Sequence, residues 1–479
     1  MSVKKSLIWS YLSQITNFGL SFFGAVLLTR ALSPYEFGVN SIAQGMAGIV
    51  SALTSFSISS YIIRETDLTE TKLKSAFTIN AIMSVVFSLI LILMGVLAKF
   101  FGEHVEVAKI LSLTAIGPLI SIFDFLAISM MVREARFVEL AVISVVKTSV
   151  SVVVSITLAQ EGFGAISIAA GVIAGSACAS AGNLVIGWQY SSLKVSVKYI
   201  KPITIFGLQM MSIGGLASVT QRISELIIGA SLGLVELGLY SRASSLSTNI
   251  FENVYGLATR VLFSKMAADL RETNQLRETF ITAIRFITAF MWPLILGLCV
   301  LSRPAVYLLY GRDWLGVALP LSILLIAQFI VIGFGMNWEL FVLRAETGRQ
   351  TKFEIVRALV GVVAITAGSM LNLAMATAGR IAEAIAGYVL YRPHMDRLAE
   401  VPPGRLDAVY IESLTLAAFA AGPSFALMVL NSWNYETPIW EIALAVVLGI
   451  CLWLFALKWQ DHPIWAQLII VIGKFKSRD

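Results

Sequence analysis

Fourteen apolar windows, each long enough to cross a bilayer, follow one another through this sequence and leave little chain between them. They cover approximately 7–28, 39–63, 76–101, 109–131, 140–160, 165–188, 204–230, 234–262, 279–302, 317–343, 353–373, 376–394, 411–431 and 438–458. A helix needs about 20 residues to cross roughly 30 Å of hydrocarbon. Inside lipid the backbone must satisfy its own hydrogen bonds, so windows of this length predict an all-α integral membrane protein. The residues left over make only short connections, none of them a separate soluble domain. Composition agrees: 57% of the 479 residues are hydrophobic and 13% charged, against roughly 45–50% and about 25% in soluble domains. Lys4 and Lys5 precede an apolar run from Leu7 to Leu28. That run is longer than the roughly 7–15 residues of a signal-peptide core, so it reads as a retained first span.

The charge pattern excludes several functions and sets an orientation. A net charge of +6 without basic blocks is no nucleic-acid footprint. Cys178, Cys299 and Cys451 are far apart, as are His104, His394 and His462. That spacing predicts neither a disulfide framework, a metal cluster nor a cofactor site. With a cytoplasmic N-terminus, 25 of the 35 Lys and Arg residues fall on the cytoplasmic side. Only Arg30, Lys99, Lys109, Arg303 and Arg312 fall outside, and five lie within spans. Cytoplasmic loops are enriched in cations, so the asymmetry predicts an even number of spans with both termini in the cytoplasm. Trp9, Trp188, Trp338, Trp433, Trp440 and Trp459 sit near span ends, where amphipathic rings prefer the headgroup level.

An internal repeat organises the spans. Ala31-Leu-Ser-Pro-Tyr-Glu-Phe-Gly-Val-Asn-Ser-Ile-Ala43 aligns with Ser231-Leu-Gly-Leu-Val-Glu-Leu-Gly-Leu-Tyr-Ser-Arg-Ala243 at an offset of 200. Leu32/Leu232, Glu36/Glu236, Gly38/Gly238, Ser41/Ser241 and Ala43/Ala243 are identical. Both stretches occupy the outside connection between the first two helices of a six-helix set. Phe101-Gly-Glu and Tyr310-Gly-Arg give a weaker echo. The expectation is an N-lobe over 1–190, a C-lobe over 200–395, two extra spans over 411–459 and a cytoplasmic tail over 460–479. Six spans is an even number, so the lobes would share one topology, related by an axis along the membrane normal.

Several short motifs carry a family resemblance over nearly the whole chain. Leu28-Thr-Arg-Ala-Leu-Ser-Pro-Tyr-Glu-Phe-Gly38 resembles the R-x-L-x-x-x-x-F/Y-G turn of bacterial polysaccharide transporters. Met130-Met-Val-Arg-Glu-Ala-Arg-Phe137 resembles the family's turn after span 4. Thr259-Arg-Val-Leu-Phe-Ser-Lys-Met266, with the charged stretch to Arg277, resembles its exit from span 8. Leu309-Tyr-Gly-Arg-Asp-Trp314 resembles its G-x-x-W turn, and His462-Pro463 fits the colanic-acid-type members. One departure stands at Ser264, where the family usually has proline, and it puts a bend at the end of span 8 in question. The family is that of the lipid-linked oligosaccharide flippases of O-antigen and exopolysaccharide pathways, within the multidrug/oligosaccharidyl-lipid/polysaccharide exporter superfamily. The resemblance implies a two-lobed fold in the bacterial inner membrane and alternating access. It implies a polyprenyl-diphosphate-linked oligosaccharide as substrate, moved from the cytoplasmic to the periplasmic leaflet. Polysaccharide polymerase or export machinery would be the accompanying partner.

Charges inside spans point to where such a substrate would be met. Each costs at least about 2.5–3.5 kcal/mol at a helix centre, so it needs a partner or a wet cavity. Lys147, Arg222, Arg242, Arg285 and Arg380 are the intramembrane cations. Arginine donors match phosphate oxygens, so Lys147, Arg222, Arg380 and Arg242 are candidates for a net-positive central cavity. Arg222 and Glu225, like Arg380 and Glu383, are spaced i,i+3 and can neutralise each other on one helix face. Arg242 and Arg285 lie near span ends and could instead snorkel to the interface. Gln14, Asn17, Gln44 and Gln209 suit sugar hydroxyls, or hydrogen bonds between helices. Glu252, mid-span in window eight, and Asp124 and Glu339, each near the inner end of a fourth helix, are candidate coupling carboxylates.

Two other readings compete. A cation-coupled multidrug or toxin antiporter of the same fold would favour twelve spans and cavity carboxylates over cations. A membrane glycosyltransferase would need a sizeable extramembrane domain, and no nucleophile–base pair, Gly-rich phosphate loop or metal set is present in the sequence. The expectation is therefore a transporter and not an enzyme.

Overall fold

The computed structural model describes residues 3–54, 58–101, 105–190, 194–467 and 469, which are helical apart from short connections. The helices in chain order are α1 (Val3–Ala31), α2 (Pro34–Thr54), α3 (Ile58–Arg64), α4 (Glu70–Phe101), α5 (Val105–Thr114), α6 (Ile116–Arg133), α7 (Phe137–Gln160), α8 (Ile166–Ile186) and α9 (Ile200–Leu232). They continue as α10 (Leu234–Thr273), α11 (Arg277–Val300), α12 (Ser302–Tyr310), α13 (Ala318–Gly333), α14 (Asn337–Leu343), α15 (Thr347–Ser369), α16 (Leu373–Ala399), α17 (Arg405–Leu430) and α18 (Ile439–Trp459). Each of the fourteen windows is largely helical among the described residues. Among the described residues, ten stretches are long and apolar enough to span a membrane on those criteria alone. The other four windows lie in α2 with α3, and in α9, α10 and α15. All six tryptophans expected at span ends are exposed.

The motif that recurs at an offset of 200 is a helix start in both places. Ser33 precedes α2, Pro34 takes its first position, and Glu36 reaches back to the Ser33 N–H at 2.7 Å while the Glu36 N–H donates to Ser33 Oγ at 3.3 Å. This reciprocal arrangement is a capping box, and proline suits the position because its missing N–H would have no helical partner. In the second copy Gly233, at φ +99°, stands before α10 with Glu236 in its first turn. Gly38 and Gly238 then bring the two helix starts into contact. A Cβ on Gly38 would collide with the Leu234 carbonyl, and one on Gly238 with the Pro34 carbonyl. Each glycine abuts the peptide four residues before the other.

The chain divides into two compact units, Met1–Gly238 and Leu239–Asp479. In the first, α7 packs on α8 and on α1, and α2 packs on α9. Gly171 and Gly175 of α8 face Ser151, Ser155 and the Lys147 carbonyl of α7, with no room for a Cβ at either glycine. Small residues four apart let membrane helices approach this closely, and van der Waals contact and hydrogen bonds replace a hydrophobic driving force. In the second unit α15 pairs with α16, α13 with α16, and α11 with α13 and α17. The extra pair α17–α18 is fixed to α11 by three polar contacts. These are Thr288 Oγ1 to Ser413 Oγ at 2.7 Å, Trp453 Nε1 to the Ala289 carbonyl at 3.0 Å and Arg285 to Glu412 at 3.1 Å.

Two local departures from the sequence reading follow from packing. α10 runs unbroken through Ser264, where the family usually has proline, and the Ser264 hydroxyl bonds the Arg260 carbonyl at 3.1 Å. The tenth window is broken instead. α13 ends at Gly333, Met336 takes φ +59°, and α14 begins at Asn337. Tyr255 of α10 accepts the Met336 N–H at 2.8 Å, and Tyr410 donates to the Gly333 carbonyl, so side chains replace the lost backbone bonds. An apolar cleft of about 340 Å³ opens beside the break, lined among others by Trp292, Phe329, Gly333, Tyr388 and Tyr410.

Candidate functional site: charges within the spans

The densest set of intramembrane charges lies on the α15–α16 pair. Arg380 Nη1 meets Glu383 Oε2 at 2.7 Å one turn along α16, and its Nε donates to the Tyr240 hydroxyl of α10 at 3.2 Å. Across the helix pair, Arg357 Nε stands 3.5 Å from Glu383 Oε1, and its Nη2 meets Glu354 Oε2 at 3.0 Å. The Tyr391 hydroxyl then donates to Glu354 Oε1 at 2.7 Å. Cation and anion thus alternate along the two helices. Gly361 gives Glu383 its place: a Cβ there would lie 2.8 Å from Oε2.

This arrangement includes residues that the sequence reading set aside. The sequence reading places Arg357 with the cytoplasmic loops and does not include Glu354 among the candidates, although both lie inside the window 353–373. The i,i+3 spacing of the two was the available signal. Their pairing across to α16 was not visible, because nothing in a linear pattern says which faces of α15 and α16 meet.

In the first unit Arg222 bonds Glu225 at 2.9 Å and lies against Gly48 of α2. The two arginine pairs differ in access: 37% of the Arg222 side chain is exposed against 18% of Arg380. Lys147 is exposed on α7 and forms no hydrogen bond or ion pair among the described residues. It lies within electrostatic reach of Asp124, which is buried on α6 and accepts from Asn183 Nδ2 of α8 at 2.9 Å. Asn17 donates to Ser144 Oγ at 2.9 Å, one turn from Lys147, joining α1 to α7. The structure therefore gathers Lys147, Asp124 and Asn17 into one neighbourhood.

The remaining candidates are dispersed. Arg242 is within hydrogen-bonding distance of Ser245, 3.4 Å away, on its own helix, and Arg285 pairs with Glu412. Glu252 and Gln14 are exposed, and Gln44 is half-buried on α2. The side chain of Gln209 lies outside the described residues. Asp124 and Glu339 do not share a setting: Asp124 sits within a continuous helix, whereas Glu339 lies in the first turn after the break. At the cytoplasmic end expected for α18, His462 is buried beside Phe286 and accepts the Ile464 N–H at Nδ1, 3.2 Å away. Burial, followed by the Arg285 charge, pushes its pKa down to about 4.

The family described as polysaccharide biosynthesis protein matches residues 27–319, more than half of the chain. The chain belongs to this family. That agrees with the resemblance carried by the turn at Leu28–Gly38 and the motifs after it. An uncharacterized membrane protein of the cps region of Klebsiella pneumoniae is 24% identical, over 74% of each chain. The succinoglycan biosynthesis transport protein ExoT of Rhizobium meliloti is 25% identical over 65% of this chain and 63% of its own length. The lipopolysaccharide biosynthesis protein WzxC of Escherichia coli is 20% identical over 78% and 77%. Among solved structures, the lipid II flippase MurJ in an inward closed conformation superposes with a TM-score of 0.67 at 16% identity, covering 96% of this chain and 100% of that one. A multidrug resistance MATE family transporter of the MOP superfamily gives 0.61 at 15% identity, over 81% and 96%. At these identities the likeness is one of fold, and the all-α membrane fold expected from the fourteen windows is the fold found.

Proposed function

We propose that this member of the polysaccharide biosynthesis family carries a polyprenyl-diphosphate-linked oligosaccharide from the cytoplasmic to the periplasmic leaflet of the bacterial inner membrane. The observation that carries this reading is the set of arginines held within spans, Arg222 and Arg380 above all, in a chain with the fold of a lipid II flippase. A diphosphate crossing hydrocarbon needs fixed donors, and guanidinium groups offer them in matching geometry. Lys147, exposed and without an ion pair among the described residues, is the third cation. The chain would work as two six-span repeats, 1–190 and 200–395, with spans 13 and 14 added and both termini cytoplasmic. It makes and breaks no covalent bond, and polysaccharide polymerase or export machinery would take the product.

The test is transfer itself. In proteoliposomes holding an undecaprenyl-diphosphate-linked oligosaccharide, the parent chain should move the glycan into reach of a membrane-impermeant lectin. Neutralising any two of Lys147, Arg222 and Arg380 to Gln should abolish transfer while leaving insertion intact. Absence of transfer by the parent, with export of a cationic dye in its place, would favour the antiporter reading that the shared MATE fold keeps open.

A further inference from the structure

We infer that Arg357 is the residue that lets Arg380 leave its carboxylate: a standby cation that takes over Glu383 while Arg380 binds the diphosphate. This rests on the assignment of Arg380 to the phosphate and goes one step past it. Arg380 is not free in the structure; Glu383 holds it at 2.7 Å. Releasing it alone would strand a half-buried carboxylate without a counter-charge, which is strongly unfavourable. Arg357 Nε is placed to prevent this. It lies 3.5 Å from Glu383 Oε1, it is buried, and it has no hydrogen-bond partner. Its Nη2 is meanwhile anchored on Glu354 at 3.0 Å, and Glu354 is itself held by Tyr391. A movement of a few tenths of an ångström turns the 3.5 Å approach into a charge-assisted hydrogen bond. Tyr240, bonded to Arg380 Nε at 3.2 Å while Glu383 is met at Nη1, can steady the guanidinium throughout. Charge is conserved at every stage, and no proton has to move.

Binding of undecaprenyl diphosphate to the full chain in phosphatidylcholine nanodiscs tests this. Arg357→Gln should weaken binding at least tenfold, because Glu383 is left bare whenever Arg380 engages the ligand. Arg357→Lys should stay within about threefold of the parent, since charge is retained. The double change Arg357→Gln with Glu383→Gln should restore affinity, because no carboxylate then needs a partner. A purely packing role for Arg357 would make Arg357→Gln cost as much in the Glu383→Gln background as in the parent, and that result overturns the proposal. So does unchanged binding in Arg357→Gln. Arg380→Gln separates the two layers: if it leaves affinity unchanged, the phosphate assignment itself falls. If Arg380→Gln weakens binding while Arg357→Gln does not, the standby role alone falls.

Discussion

Two residues carry predictions that depend on their immediate surroundings. Arg222 bonds Glu225 at 2.9 Å, so Arg222→Gln takes a counter-charge from Glu225 and exposes it to its own desolvation cost. If Arg222 is there only for Glu225, export lost in Arg222→Gln should return in Arg222→Gln with Glu225→Gln. If it serves the diphosphate, polysaccharide secretion stays lost in the double variant, and this second outcome is the expected one. Lys147 has no such partner, so charge matters more than shape: Lys147→Arg should keep most export and Lys147→Gln should lose it. His462 titrates in the opposite sense from a histidine paired with an anion. Its folded pKa is near 4 and its unfolded one near 6.5, so the fold holds it neutral while the unfolded chain binds the proton. Its contribution is complete above about pH 6.5 and is lost as pH falls toward 4, by about 2 kcal/mol at pH 5. The thermal midpoint in detergent should fall between pH 7 and pH 5, and His462→Asn should flatten that slope.

At the scale of elements, the two sharpest features are the α7–α8 contact and the break between α13 and α14. Gly171 and Gly175 meet α7 with no space for a methyl group. Gly175→Leu forces the helices apart and should destabilise the chain by about 1–3 kcal/mol, read as a lower unfolding midpoint in detergent. At the break, Tyr255→Phe removes the acceptor of the Met336 N–H. An unpaired buried donor costs about 1–3 kcal/mol, so hydrogen exchange at Met336 should speed up while the ends of α10 stay protected. These elements were unequally legible. The capping box Ser33–Glu36 is written in adjacent residues, and ten of the fourteen windows coincide with helices long and apolar enough to span a membrane, because both signals are local. The break was not legible, because it depends on Tyr255 and Tyr410 arriving from other helices. Arg357 was missed for the same reason: its place four residues into an apolar window looks interfacial until α16 supplies Glu383.

For the whole molecule, orientation is the property most open to direct measurement. The cation asymmetry implies that a reporter fused after Glu161 should read periplasmic and one after Thr273 cytoplasmic. Opposite readings at both would overturn the predicted topology. The repeat also has a consequence for how such a chain can change over generations. Gly38 lies against the Leu234 carbonyl and Gly238 against the Pro34 carbonyl. If the chain arose by doubling of one ancestral gene segment, most pairs of corresponding positions became free to diverge afterwards. This pair did not: a larger residue in either copy collides with the backbone of the other, and no side-chain change in that other copy can make room. Duplication ordinarily supplies a spare, but at this crossing it supplied a mutual dependence.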